Sequence, residues 1–172
     1  GGDGNDTLTG GNGNATLTGG DGDDSVSCSD GDDTVTGGGG NDTLSGGAGN
    51  DTLSGGAGDD TFYGEASADI IITGQGDDQV FAGLGNDIIY DSGNVAGEVI
   101  RGEDGNDVVI ATTGAALIFG GTGIDLIYGG RGSDLTEIFG GDGGDFIRAS
   151  DGGGEITGGV GDDWIEGDIG AD

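Results

Sequence analysis

An apolar residue returns every nine positions along almost the whole chain. The series runs Leu8, Leu17, Val26, Val35, Leu44, Leu53, Phe62, Ile71, Val80, Ile89, Ile100, Val109, Ile118, Ile127, Ile138, Ile147, Ile156 and Ile165. Only Asp91–Arg101 and Gly129–Phe139 stretch the unit to eleven residues. The unit reads G-G-x-G-x-[DN]-x-U-x, where U is the apolar position, as in GGDGNDTLT at 1–9 and GGAGNDTLS at 46–54. Eighteen units follow one another, and a truncated nineteenth closes the chain at 167–172. The three residues x-U-x predict a short strand with U on one side and its neighbours on the other. The six Gly-rich residues predict a turn with left-handed or otherwise restricted backbone angles. Such a strand cannot bury its apolar residue alone, so turns must stack as a solenoid stabilised by neighbour contacts.

Composition sharpens this picture. The chain has 172 residues, 48 of them Gly, with no Pro, His or Met. It carries 34 acidic and 3 basic residues, a formal net charge of −31. Without Pro it is not collagen-like. Three Arg cannot form a cationic nucleic-acid surface. No apolar run approaches the length of a membrane-spanning helix. A single Cys excludes an intrachain disulfide framework. The chain opens without Met and shows no leader, as expected of a segment of a longer protein. Gly content and self-repulsion of this order suggest disorder unless something neutralises the charge and something requires the glycines.

The repeat resembles the RTX (repeats-in-toxin, haemolysin-type) calcium-binding nonapeptide, and the resemblance covers the whole chain, 1–172, as a single repeat domain. It implies an all-β fold, a right-handed parallel β-roll (β-solenoid) with two nonapeptides per turn. It implies calcium between stacked turns along each of two edges. Each ion would be held by backbone carbonyls and by the sixth-position Asp of repeats n and n+2.

A two-repeat turn puts odd repeats on one edge and even repeats on the other, and the sixth positions differ accordingly. On the odd repeats this position is read as Asp6, Asp24, Asp42, Asp60, Asp78, Glu98, Ala116, Asp134, Gly154 and Asp172. The even ones read Ala15, Asp33, Asp51, Asp69, Asp87, Asp107, Asp125, Asp145 and Asp163. The odd edge decays after about residue 90; the even edge loses only Ala15. Adjacent pairs number four on the odd edge, Asp6/Asp24 to Asp60/Asp78, and seven on the even edge, Asp33/Asp51 to Asp145/Asp163. These thirteen Asp are the candidate ligands, for about eleven Ca²⁺ ions. Asp78/Glu98 and Ala15/Asp33 read as half-sites. The repeat Gly64–Ile72 lacks Gly at its second and fourth positions, which predicts distortion at Asp69. Simple turn formation explains Asp less well, because a turn former need not recur at one fixed position.

The residues flanking U predict the outer faces. Up to Ser54 they are mostly Thr and Ser, a solvated surface that only weakly resembles ice-binding solenoids. From residue 70 the even face carries Ile70, Ile72, Ile88, Tyr90, Val108, Ile110, Leu126, Tyr128, Phe146 and Trp164. Six strands about 4.8 Å apart make this a stripe on the order of 300 Å², a candidate surface for a protein partner or self-association. The odd face reads as broken, with Phe81, Leu117 and Phe119 interrupted by Gln79, Glu137 and Glu155. Nothing predicts catalysis. The paired carboxylates belong to the repeat, no insertion is long enough for a cleft, and Cys28 has no nearby cation to activate it. Arg101, Arg131 and Arg148 are expected to offset local acidic charge. The resemblance implies a secreted, extracellular bacterial protein that folds on meeting calcium and uses type I secretion. The alternative is a structural or adhesive component of a surface layer, matrix or filament, self-associating through the even face. About eleven Ca²⁺ would offset most of the −31, leaving about −9, ordinary for a soluble domain.

Overall fold

The computed structural model describes residues 1–93, 97–112, 116–130, 136–149 and 152–167. They form strands only, arranged as two parallel sheets. Consecutive strands alternate between the sheets, so each turn of the chain adds one strand to each. The ten-stranded sheet begins at Gly2–Asp3, ends at Trp164–Glu166 and carries the even repeats. The nine-stranded sheet runs from Thr7–Thr9 to Ile156–Val160 and carries the odd ones. This is the expected all-β parallel roll with two repeats per turn. Among the described residues no helix is long and apolar enough to cross a membrane.

Strand register measures the turn directly. Leu17 pairs with Val35 and Leu53 with Ile71, steps of 18 residues. Where a turn includes an eleven-residue repeat the step is 20, as in Ile89 with Val109 and Ile118 with Ile138. The two extra residues therefore stay in the loop, and U remains opposite U. From Val35 to Ile147 every U side chain is fully buried, forming two rows between the sheets. Leu8, Leu17 and Ile156 are only partly covered, and Ile165 is exposed, because terminal turns have one neighbour instead of two. Burying one such side chain contributes about 1.5–3 kcal/mol.

Many strands are longer than x-U-x. Thr34–Gly39, Thr43–Ala48 and Thr52–Ala57 each continue through the first three residues of the next repeat. The second-position Gly, such as Gly56 at φ 122°, bends the chain while its neighbours keep their ladder hydrogen bonds. The turn proper is thus shorter than the six residues the pattern suggests. A Cβ on Gly56 would also strike the carbonyl oxygen of Gly38.

Glu65 and Ser67 occupy the positions that lack Gly in repeat Gly64–Ile72, and both adopt positive φ, 79° and 84°. The backbone there is held by its neighbours: Gly47 pairs with Glu65, and Glu65 with Gly83. Left-handed backbone costs an L-residue about 1–2 kcal/mol. Ser67→Gly is therefore expected to stabilise the folded protein by about 1 kcal/mol. Gly56→Ala should destabilise it by about 2 kcal/mol or more. Thermal unfolding followed by circular dichroism checks both signs.

Candidate metal centres

Among the described residues, each sixth-position Asp sits where the turn enters the strand, with its carboxylate under the turn. Asp24, Asp33, Asp42, Asp51, Asp60, Asp69, Asp78, Asp87, Asp107, Asp125 and Asp145 are all buried. Asp6 and Asp163, near the two ends, are half-buried. One carboxylate oxygen of each buried Asp has a fixed task. The amide of Asp24 donates to Asp42 Oδ1 at 2.8 Å, and that of Asp42 to Asp60 Oδ1 at 2.8 Å. On the other edge the amide of Asp33 donates to Asp51 Oδ1 and that of Asp51 to Asp69 Oδ1, at 2.8 and 2.7 Å. The same bond joins Asp87 to Asp107 across the longer step of 20 residues. Half-exposed Asp6 and Asp163 enter the ladder too: Asp6 as donor to Asp24 at 2.7 Å, Asp163 as acceptor from Asp145 at 3.0 Å.

The other oxygen, Oδ2, is buried with no hydrogen-bond donor in all eleven buried Asp. A buried acceptor left in this state costs about 1–3 kcal/mol, and more when charged. Burial is also the first cause of their raised pKa values. It lifts Asp60, Asp69 and Asp107 to about 7 and Asp125 to about 6, and carboxylates one turn away push in the same direction. None of the described arginines answers them. Arg101 lies over the Phe81 and Phe119 rings on the outer face, and Arg148 stands 3.8 Å from Glu166 in solvent. Arg131 lies outside the described residues.

The first-position Gly leaves space where these orphaned oxygens converge. A Cβ on Gly19 would meet Asp24 Oδ2, and the carbonyl oxygen of Gly37 lies 2.8 Å from the same point. At Gly37 the pair is Asp42 Oδ2 and the carbonyl of Gly55, again at 2.8 Å. Gly120 and Gly140 face Asp125 with the Gly140 carbonyl and Asp145 with the Gly158 carbonyl. Each cradle thus offers carboxylate and carbonyl oxygens from successive turns. That donor set suits a hard cation with many oxygen ligands, such as calcium. It suits zinc less well, whose structural sites are built from cysteine sulfur and histidine nitrogen.

Several expectations need correction. Asp69 is not distorted, because the positive φ of Glu65 and Ser67 preserves the turn; its Oδ1 accepts from Asp51 and its amide donates to Asp87, both at 2.7 Å. The lengthened repeat Gly129–Phe139 puts Thr136, not Asp134, in register beside Ala116, since Glu137 pairs with Leu117. Asp134 and Asp172 lie outside the described residues. The odd face is interrupted along the row that holds Gln79, Leu117 and Glu137, but the neighbouring row is continuous. Tyr63 stacks on Phe81 at 5.2 Å, Arg101 sits 5.0 and 5.4 Å from the Phe81 and Phe119 rings, and Phe119 stacks on Phe139 at 5.1 Å. Arg101 therefore serves this stack through cation–π contact. Asp91, outside the sixth-position series, is also fully buried with Oδ2 unpartnered. Its signal was a carboxylate in the place of the first Gly in a lengthened repeat. Cys28 is buried, and burial with the Asp33 charge pushes its thiol up to about 11, which makes it inert.

On the even face Ile70, Ile72, Tyr90 and Trp164 are exposed, while Ile88, Val108, Ile110, Leu126, Tyr128 and Phe146 are half-covered. Phe146 stacks on Trp164 at 6.2 Å.

A family model described as the RTX calcium-binding nonapeptide repeat matches residues 1–35, 29–62, 54–89, 92–115, 110–136 and 139–172. Comparison with curated proteins gives no match. The nine-residue period, the two carboxylate ladders and this nearly continuous match agree, and the chain belongs to the RTX calcium-binding nonapeptide repeat family.

Proposed function

We propose that this calcium-binding repeat module is a calcium-dependent folding unit of a secreted bacterial protein. The observation that supports it is the row of buried Oδ2 atoms with no donor. A chain that places eleven such carboxylates under its turns is unstable as an apo fold. Calcium supplies both the missing ligand and the opposite charge, so its binding free energy acts as folding free energy. The thirteen sixth-position Asp and the carbonyls facing them are the proposed ligands, for about eleven ions. Extracellular calcium modules work at dissociation constants of about 10⁻⁴–10⁻³ M. A chain tuned to that range stays unfolded where calcium is scarce and folds after export, which would assist type I secretion and stabilise its host protein. No carboxylate is assigned a catalytic role.

The exposed apolar residues of the even face favour a second reading, a structural or adhesive component that self-associates there. Replacing Ile88, Ile110 and Leu126 together by Thr should then reduce the calcium-loaded protein to monomers in sedimentation velocity. A wild-type protein already monomeric at high concentration removes this reading.

Calcium dependence has a direct test. Circular dichroism should report a coil in EGTA and a β spectrum on adding calcium, and calorimetry should count about eleven ions, as pairing of oxygen ligands requires. An unchanged spectrum would sink the proposal.

Acidity gives an independent check. Burial raises the folded-state values of Asp60, Asp69 and Asp107 from the ordinary 3.8 to about 7. A raised value means the calcium-free fold binds more protons than the unfolded chain. Its stability is full below about pH 4 and is lost as pH rises through about 7. In buffer stripped of calcium, acidification from pH 8 to 5 should therefore raise the β signal. With calcium present the same acidification should weaken ion binding, because protons compete for Oδ2. Loss of β structure on acidifying the calcium-free protein would contradict the ladder electrostatics.

A further inference from the structure

The odd edge does not stop at Asp78. The next repeat on that edge, Asp91–Arg101, is two residues longer than the consensus and begins with Asp where the pattern has Gly. Asp91 is fully buried; Oδ1 accepts from the amide of Gly93 at 2.9 Å, and Oδ2 has no donor. Glu98 holds the position before the strand. It is buried to 1% exposure, and neither of its oxygens has a hydrogen-bond donor. Asp78, one turn earlier, also has an orphaned Oδ2. Thr73, fully buried, stands beside both Asp78 and Asp91.

These groups surround one cradle. The point where a Cβ on Gly93 would stand lies 3.1 Å from Glu98 Oε1, 3.3 Å from Asp91 Oδ1 and 3.3 Å from the carbonyl oxygen of Gly74. Two carboxylates and a carbonyl therefore face one small volume, as at the ladder cradles, but with a different origin. In the ladder the carboxylates come from the sixth positions of stacked turns. Here Asp91 and Glu98 come from opposite ends of a single loop, with the carbonyl from the turn below. After Glu98 the described positions of this edge are Ala116, Thr136 and Gly154, none of which carries a charge.

We propose that Asp91 and Glu98, with the Gly74 carbonyl and with Asp78 adjacent, form a separate calcium site at the last acidic step of the odd edge. It is distinct from the sixth-position pairs. Asp91 supplies the carboxylate that the following turn no longer offers. The inference rests on the calcium-dependent reading of the roll. Burial without a donor is what calls for a cation: both oxygens of Glu98 and the Oδ2 atoms of Asp91 and Asp78 are buried with no hydrogen-bond partner.

Ion counting on the full chain tests the site. Bound calcium is measured by equilibrium dialysis at saturation for wild type, Asp91→Asn, Glu98→Gln and the double variant. Each single variant should lose one ion per chain, and the double variant should also lose only one, because the residues share the site. Retention of every ion, or loss of two by the double variant, overturns the proposal. Gly93→Ala provides a second route that keeps both carboxylates. Its methyl would occupy the cradle and should also remove one ion, while a full complement of ions in that variant overturns the proposal. A β spectrum in calcium establishes that each variant is folded before its ions are counted. A wild-type chain that binds no calcium would refute the calcium reading itself. A wild-type chain with its full complement and indifferent variants would refute this site alone.

Discussion

Repulsion between stacked, buried carboxylates is the constraint on which the rest of this fold depends. Like charges one strand spacing apart, about 4.8 Å, repel by about 3 kcal/mol at an effective dielectric constant of 20. A small domain is stable by only about 5–15 kcal/mol. Two ladders of such charges exceed that margin within a few turns. The backbone cannot remove the difficulty, because it offers each carboxylate one amide and leaves the second oxygen bare. Protons or a bound cation must supply the balance, and the cradles of carbonyl oxygen beside the first glycines favour the cation.

The glycines follow from the same geometry for two separate reasons. Second- and fourth-position residues such as Gly56 and Gly58 adopt φ of 122° and 124°, which an ordinary side chain resists. First-position residues such as Gly19 and Gly37 need no unusual dihedral; a side chain there would fill the space facing Asp24 or Asp42. Glu65 and Ser67 show that the first kind of requirement can be overridden by neighbouring turns. The composition that reads as disorder is thus a specification of turn shape and ligand access.

Much of this was legible in the sequence because it is periodic. A single apolar series marks the core, and alternating decay of the sixth positions separates the two edges. Legibility failed where the period changes. In Gly129–Phe139 the sixth position can be counted from either end of the repeat, and only strand pairing shows that Thr136 aligns with Ala116. Asp91 was hidden for the same reason: in a lengthened loop its position carries no consensus meaning. The Tyr63–Phe81–Arg101–Phe119–Phe139 stack escaped because Arg was read as a charge. Only stacking in register shows its flat guanidinium filling a gap between rings.

The unequal edges have a mechanical consequence. Up to Asp78 both sides of the roll carry carboxylate ladders; beyond Glu98 the even side still does, while the odd side continues through Ala116, Thr136 and Gly154. The second half is therefore built like a bimetallic strip, with one side responsive to ions and the other indifferent to them. With calcium on the ladders as proposed, a change in its concentration would act on a single flank there, and a symmetrical chemical signal would become a bending moment along that half of the solenoid.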